Sequence, residues 1–464
     1  MLFDIDLKPR NSLAAIDEVG NSVTYGELSD FSNQFKNLIP ERELIFCLCE
    51  NTIGALLGFI SFYENKDVAL LLGSTTDREL LFNLISVYKP SFIWLPKKYI
   101  NEFQVEIVYQ NYGYVLGSTG YKAYPMNQYL SLLLTTSGST GSPKLVRYKY
   151  GNIEANAKTV ANVFEWTTEE RAICELPMQY SMGLNVINSH LYSGGTILMI
   201  SSSLTSLSFW KFIKEHKGTS FTGVPFSYDI LLKLRFVQMD LPHLKTIAEG
   251  GGKLTDSIFS TLADWAEKNG KRFFATFGTT ETSARMSYLP PHLATLKCGS
   301  IGQAIPGSEM LLLDDNGNLI EGNDVEGELC YRGSNVTMGY AICKEDLLRD
   351  DDFSGEYKTG DLAKRDSDGF YYIVGRKKRF LKLFGFRVSL DQCERLINEK
   401  FNIECACIGD DSTMNIYITN EMLQVEVKNY ISLKTKLLPA AFNIRVIDKI
   451  PRNNSGKISY TLLK

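Results

Sequence analysis

Short apolar runs at 44–48, 68–72, 92–95, 132–135 and 196–200 alternate with helix-like segments such as Tyr25–Leu38 and 77–88. Strand and helix alternating at this spacing predict α/β layers built on mostly parallel sheets. At 464 residues the chain is too long for one ordinary core, so two or more domains are expected. The pattern changes after residue 298. Turn-rich residues 299–307 lead into short strands at 310–313, Gly327–Arg332 and 371–374, separated by turns such as Asp315-Asn316-Gly317 and Asp368-Gly369. These predict a small antiparallel sheet or barrel. Beyond the basic cluster Gly375-Arg376-Lys377-Lys378-Arg379, a helix (391–398), two strands (406–408 and Met414–Ile418) and a second helix (422–437) predict a separate small α+β domain. The cluster itself reads equally as a hinge or as a solvated surface turn.

Hydrophobic residues make up 44% and charged residues 22%, the balance of a soluble globular enzyme and not of a disordered chain. A formal net charge of -4 argues against a nucleic-acid partner. The nine cysteines form no pair of Cys-x-x-Cys motifs, which speaks against a zinc site, and a disulfide framework is not expected either. Cys47 and Cys49, like Cys405 and Cys407, are two apart in apolar runs and pack as small hydrophobes on one strand face. A reducing cytoplasm is the expected location. Residues 1–10 carry no secretory pattern, and Glu64, Lys66 and Asp67 interrupt the apolar stretch 53–72. That stretch reads as a buried helix and a strand, not a membrane span.

Four motifs carry chemistry. In Leu134-Thr-Thr-Ser-Gly-Ser-Thr-Gly-Ser-Pro-Lys144 an apolar strand runs into small and hydroxylated residues. Gly138 and Gly141 let backbone N–H groups approach a ligand; Thr136, Ser137, Ser139 and Thr140 can donate to phosphate oxygens, and Lys144 supplies charge. The spacing is not that of a Walker loop. In Ala275-Thr-Phe-Gly-Thr-Thr-Glu281, Phe277 can stack on a purine and Glu281 can hold magnesium; the bland alternative is a core aromatic and a helix cap. In Tyr357-Lys-Thr-Gly-Asp361, followed by Arg376, a carboxylate after a glycine turn suits ribose hydroxyls and the arginine suits phosphate, or the pair marks a solvated turn. Lys457 in Ile450-Pro-Arg-Asn-Asn-Ser-Gly-Lys457 is delivered on a loop, where a lone lysine is ordinarily a surface charge.

Taken together, their order and spacing resemble the adenylate-forming enzymes: acyl- and aryl-CoA ligases, peptide-synthetase adenylation domains and luciferases. The resemblance covers nearly the whole chain, from Val23-Thr-Tyr-Gly-Glu-Leu28 through Leu176-Pro177, residues 249–254 and 299–307, Gly327-Glu-Leu329 and Gly339-Tyr340 to Gly456-Lys457. It implies a large N-terminal domain (1–377) of two doubly wound α/β subdomains plus a small β-barrel, and a small mobile α+β lid (378–464) hinged near Lys378. It implies an ATP site from Thr136, Ser137, Gly138, Ser139, Thr140, Gly141, Lys144, Phe277, Gly278, Thr279, Asp361 and Arg376. Thr280 is expected on the α-phosphate, Glu281 on Mg2+, and Lys457 between the attacking carboxylate and the α-phosphate. Lys382, in Lys382-Leu-Phe-Gly-Phe-Arg-Val388, matches the lysine of the second half-reaction, which follows rotation of the lid.

The implied reaction activates a small-molecule carboxylate with ATP and transfers the acyl group to a thiol of CoA or of a separate carrier protein's phosphopantetheine. Transfer to an amine, or activation of an amino acid, is the alternative within the fold. A non-catalytic relative would show damage at Lys457, Glu281 or the phosphate loop, and all are intact. The acyl pocket is expected around Tyr180, Gly183, Gly250, Gly251 and Arg285. Two departures stand out. Tyr180 replaces the usual His, and no Asp occurs between Glu175 and Gly195 to pair with an amino acid's ammonium. Arg285 reads either as the partner of a second anionic group on the substrate or as a surface or inter-domain ion pair.

Overall fold

The structure is a computed structural model describing residues 2–135, 144–377, 379–383, 386–410, 412–453 and 456–463, with the backbone alone described at Phe380, Lys382, Phe386 and Arg387. Two large mixed sheets form its body. In the eight-stranded sheet, Leu44–Cys49 lies parallel between Val68–Gly73 and Phe92–Pro96, and Leu130–Thr135 continues the parallel centre beyond Val68–Gly73. Its alternate side chains enter different cores. Ile45, Cys47 and Cys49 face the layer shared with the other sheet; Leu44, Phe46 and Leu48 join Leu81 and Leu84 of helix Arg78–Tyr88. Burial on both faces is why such strands read as unbroken apolar runs.

The nine-stranded sheet is parallel across Leu13–Asp17, Thr196–Met199, Arg171–Cys174, Ser220–Gly223, Thr246–Glu249 and Arg272–Phe277, with antiparallel strands at both ends. Helices Tyr25–Leu38, Ile53–Glu64, Asn152–Val163 and Ser181–Ser193 supply the layer between the sheets. Every residue from Ile53 to Tyr63 is buried, so this helix is apolar all round because it is enclosed. No helix among the described residues is long and apolar enough to cross a membrane. Helix Tyr25–Leu38 opens on a capping box: the Thr24 hydroxyl accepts from the Glu27 N–H, and the Glu27 carboxylate accepts from the Thr24 N–H. The Val23-Thr-Tyr-Gly-Glu segment therefore has a structural task.

The third element, expected as an antiparallel sheet or barrel, is a sheet of four strands. Glu309–Leu313, Gly327–Arg332, Glu356–Arg365 and Tyr371–Arg376 pair in that order, and its two edge strands do not pair with each other among the described residues. After it come a hairpin, Phe380–Leu383 with Phe386–Ser389, and helix Leu390–Phe401. A three-stranded sheet follows, Cys405–Gly409, Met414–Ile418 and Phe442–Val446, with helix Gln424–Thr435 packed on it. These share a core of their own, including Leu383, Cys393, Ile397, Cys407, Ile416, Val427, Ile431 and Phe442.

The enclosed helix offers a stability test. Trp94 Nε1 donates to the Gly54 carbonyl at 2.9 Å, and a Cβ on Gly58 would overlap the Trp94 indole. Gly58→Ala is expected to destabilise the fold by about 1–3 kcal/mol through overpacking. Urea unfolding should show a lower midpoint at unchanged slope; an unchanged midpoint would mean that the indole has room to move.

Candidate active site

Several parallel strands of the larger sheet end on one side at Gly223, Glu249 and Phe277, the side where open α/β sheets take ligands. After Phe277 the chain doubles back. A Cβ on Gly278 would overlap the Ala284 carbonyl, so the turn requires glycine there. Ser283 and Ala284 both have positive φ, 56° and 91°. The resulting short turn presents Thr280 and Glu281. Thr280 Oγ1 lies 3.4 Å from Ser181 Oγ, and its carbonyl accepts from the Tyr148 hydroxyl at 2.6 Å. Glu281 Oε1 accepts from the Tyr340 hydroxyl at 2.7 Å, and its carbonyl accepts from the Thr337 N–H at 3.0 Å. Phe277 is half-buried against the cluster containing Met286 and Leu312, and Thr279 precedes the turn that Thr282 closes.

Thr136, Ser137, Gly138, Ser139, Thr140 and Gly141 lie outside the described residues, as does Lys378. The flanks of the loop are placed. Leu130–Thr135 and Leu145–Lys149 are antiparallel, with Thr135 opposite Leu145. Lys144 is exposed, and its ammonium lies 5.3 Å from the centre of the Tyr340 ring. Tyr340 thus touches both Lys144 and Glu281.

Asp361 and Arg376 sit directly opposite each other on neighbouring antiparallel strands, Glu356–Arg365 and Tyr371–Arg376. Asp361 is buried, and Arg376 Nε donates to its Oδ1 at 2.8 Å. Burial raises the Asp361 pKa, and Arg376 opposes the shift. Lys457 arrives from the other core. Arg452 donates to the Gly456 carbonyl at 2.7 Å, and Asn453 Oδ1 accepts from the Lys457 N–H at 3.0 Å. This turn rests on Phe226: the Arg452 guanidinium is 5.4 Å from the ring centre, and Gly456, at φ 76°, packs against the ring. The Lys457 ammonium then lies 5.7 Å from the centre of the Tyr180 ring. Its pKa is lowered by burial and by the charge of Arg376, while Glu281 and Asp361 pull the other way. Residues from 281, 361, 376 and 457 therefore share one electrostatic site. Lys382 lies in strand Phe380–Leu383, opposite Arg387.

Tyr180 packs with Leu176, Met182 and Val224. Burial raises its phenol to about 12. Gly250 and Gly251 border this cluster: a Cβ on Gly250 would be 2.5 Å from Met182 Cε, and one on Gly251 2.5 Å from the Tyr180 hydroxyl. Gly183 differs, because a Cβ there would overlap the Pro177 carbonyl; helix packing accounts for that glycine. Arg285 is not a surface charge, and it forms no ion pair among the described residues. It is 1% exposed, and its guanidinium lies 4.6 Å from the Phe164 ring centre. Its Nη2 donates to Thr222 Oγ1 at 3.3 Å, and its Nε has no partner among the described residues. Burial lowers its pKa to about 9. An unpaired buried ion costs several kcal/mol, and a cation–π contact returns roughly 2.

Sequence reasoning missed Phe226, Tyr148 and Ser181. Phe226 carries no motif and meets Gly456 only through the fold. The Gly339-Tyr340 pair marks Tyr340 in the sequence but gives it no role.

The family model for AMP-binding enzymes matches residues 74–341. The oxalate–CoA ligase of Arabidopsis thaliana is 28% identical over 350 residues, 71% of this chain and 66% of that protein. The long-chain-fatty-acid–CoA ligase of Salmonella typhimurium is 29% identical over 290 residues, 60% of this chain and 50% of that protein. The chain thus spans between half and two thirds of these curated relatives' length. The fold is that of O-succinylbenzoate coenzyme A synthetase from Bacillus subtilis, solved in complex with AMP: TM-score 0.81, 21% identity, covering 100% of this chain and 97% of that one.

The lowered Lys457 pKa has a stability consequence. Between that value and the unfolded value of about 10.4, the unfolded chain binds more protons, so the lysine's unfavourable contribution shrinks as pH rises. Lys457→Met is expected to be more thermostable than the parent at neutral pH, with the gap in Tm narrowing towards about pH 10. A gap that widens with pH would contradict the assigned environment.

Proposed function

This chain belongs to the AMP-binding enzyme family, and we propose that it is an AMP-forming ligase that activates a carboxylic acid with ATP and passes the acyl group to a thiol. The observation that carries this reading is the meeting of Lys457 with Glu281, Asp361 and Arg376 beside Tyr180. Adenylation must bring together two anions, a carboxylate and a triphosphate. The Lys457 ammonium, seated between the acyl cluster and the carboxylates, offsets their repulsion and the charge developing at the α-phosphorus. A carboxylate is already nucleophilic at neutral pH, so no general base is required. The Thr280 hydroxyl donates to the α-phosphate. Asp361, held by Arg376, accepts from the ribose hydroxyls, and Phe277 supplies a face for adenine. The segment 136–144, together with Gly278 and Thr279, grips the β- and γ-phosphates.

Glu281 fits a magnesium ligand. It offers a hard carboxylate oxygen, and no group of three or more His, Cys, Asp or Glu among the described residues could form an all-protein cage. Magnesium characteristically takes one or two carboxylates and completes its shell with phosphates and water. Glu281 would hold the ion, which when bound would supply neutralising charge to the phosphates. For the second half-reaction we read residues 378–464 as a lid turning near Lys378, so that Lys457 leaves and Lys382 approaches. The acceptor is coenzyme A, as the names of the relatives suggest, or a separate carrier protein's phosphopantetheine. All nine cysteines are free, which suits a reducing cytoplasm.

The test is acid-dependent release of pyrophosphate from ATP and Mg2+, with hydroxylamine as trap, across aliphatic, aromatic, dicarboxylic and amino acids. Lys457→Ala is expected to lower the rate by roughly 10²–10³ while ATP still binds. Release that is unaffected by the substitution, or absent with every acid, would overturn the reading.

A further inference from the structure

Among the described residues two arginines, Arg147 and Arg285, are fully enclosed, and they differ in how they are used. Arg147 donates to the carbonyls of Arg349, Met338 and Asp350 and pairs with Asp352 at 2.7 Å. Its charge is compensated and its task is to fix a loop. Arg285 makes one side-chain hydrogen bond, at 3.3 Å, and pairs with no carboxylate among the described residues. Its neighbours include His190 and Tyr228. His190 lies near enough to feel its charge, but burial depresses that imidazole to about 4, so it is neutral. Its Nδ1 donates to the Val186 carbonyl at 2.8 Å, so Nε2 accepts from Ser220. The Tyr228 hydroxyl is kept protonated by burial and donates to the Ala248 carbonyl. Burial raises the pKa of Glu249, near Tyr228, and among the described residues neither it nor Glu175 forms an ion pair with Arg285.

The position of Arg285 matters as much as its lack of a counter-charge among the described residues. Its backbone packs against Gly278 in the turn that presents Thr280 and Glu281, and its carbonyl is held by Asn156 and Asn335 at 2.7 and 3.1 Å. The side chain runs inward to Thr222 and Phe164. Helix Ser181–Ser193 spans the same interval. It starts beside Tyr180, near Lys457, presents Met182 to Gly250, and reaches His190 near Arg285. A buried cation beside this helix, with its Nε unused and no counter-charge among the described residues, is arranged for an anion that arrives with the substrate.

We propose that Arg285 recognises a second anionic group on the acyl substrate, so that this site takes a dicarboxylate or another acid with an anionic far end. The inference rests on the ligase reading and narrows it. The reacting carboxylate lies at Lys457 and Thr280, the connecting carbons pass Met182 and Gly250, and the far anion meets Arg285. Neutral-tailed acids leave the guanidinium unpaired and are poor substrates.

The test compares dicarboxylates of increasing length with their monoesters and with monocarboxylates of the same length, using the parent enzyme and Arg285→Met. The parent should favour one dicarboxylate over its monoester by roughly 10²-fold or more in kcat/KM, the size expected when a buried polar group is left unpaired. Arg285→Met should lose that preference. Because a substitution in the core can disturb folding, binding is also read as thermal stabilisation without ATP. The preferred dicarboxylate should raise the Tm of the parent and leave that of Arg285→Met unchanged, while ATP with Mg2+ should raise both. A parent that turns over monocarboxylates as well as dicarboxylates, or an Arg285→Met enzyme that keeps the preference, would overturn the inference and leave adenylation standing. Absence of turnover with every acid would overturn both.

Discussion

The close passage of Gly278 against the Ala284 carbonyl is the contact on which the site depends. Without it the chain after strand Arg272–Phe277 would not double back within so few residues. The turn works in two directions. Thr280 and Glu281 are held outward, tied to Ser181, Tyr148 and Tyr340, while Arg285 is driven inward behind them. A single backbone approach therefore couples the phosphate side of the site to the acyl side.

Charge organises the rest. Asp361 is buried but carries its counter-charge in Arg376, fixed by cross-strand pairing. Lys457 is brought to these groups by a turn whose base rests on Phe226, so its place depends on how two separately packed cores meet. A charge delivered on a separate core can be withdrawn as a unit, which is what a site performing two successive reactions needs. Arg285 has no comparable partner among the described residues, and the proposed second anion of the substrate would supply one.

Much of the fold was legible because burial on both faces leaves a continuous apolar signature. Leu44–Cys49, Val68–Gly73 and the enclosed helix Ile53–Glu64 were readable for that reason. The strand Phe442–Val446 was not, since it is half-exposed and its mixed residues have no clean period. The open edges of the four-stranded sheet were equally invisible, because strand patterns do not reveal whether the ends pair. At the site, motifs marked residues that the structure places near Lys457, such as Glu281 and Asp361. They were silent on what supports them: Phe226 and Tyr148 are distant in sequence and ordinary in context. Arg285 was ambiguous because a charged residue in a polar segment reads as surface, and only tertiary packing buries it beneath Phe164.

Adenylation requires that a carboxylate oxygen of the substrate attack the α-phosphorus. The most direct measurement uses an accepted acid labelled with ¹⁸O in its carboxylate, with mass analysis of the nucleotide after acyl transfer to coenzyme A or hydroxylamine. Attack at the α-phosphorus predicts one labelled oxygen in the phosphate of AMP, with unlabelled pyrophosphate. Label in inorganic phosphate, with ADP as the nucleotide product, would show attack at the γ-phosphorus and would contradict it.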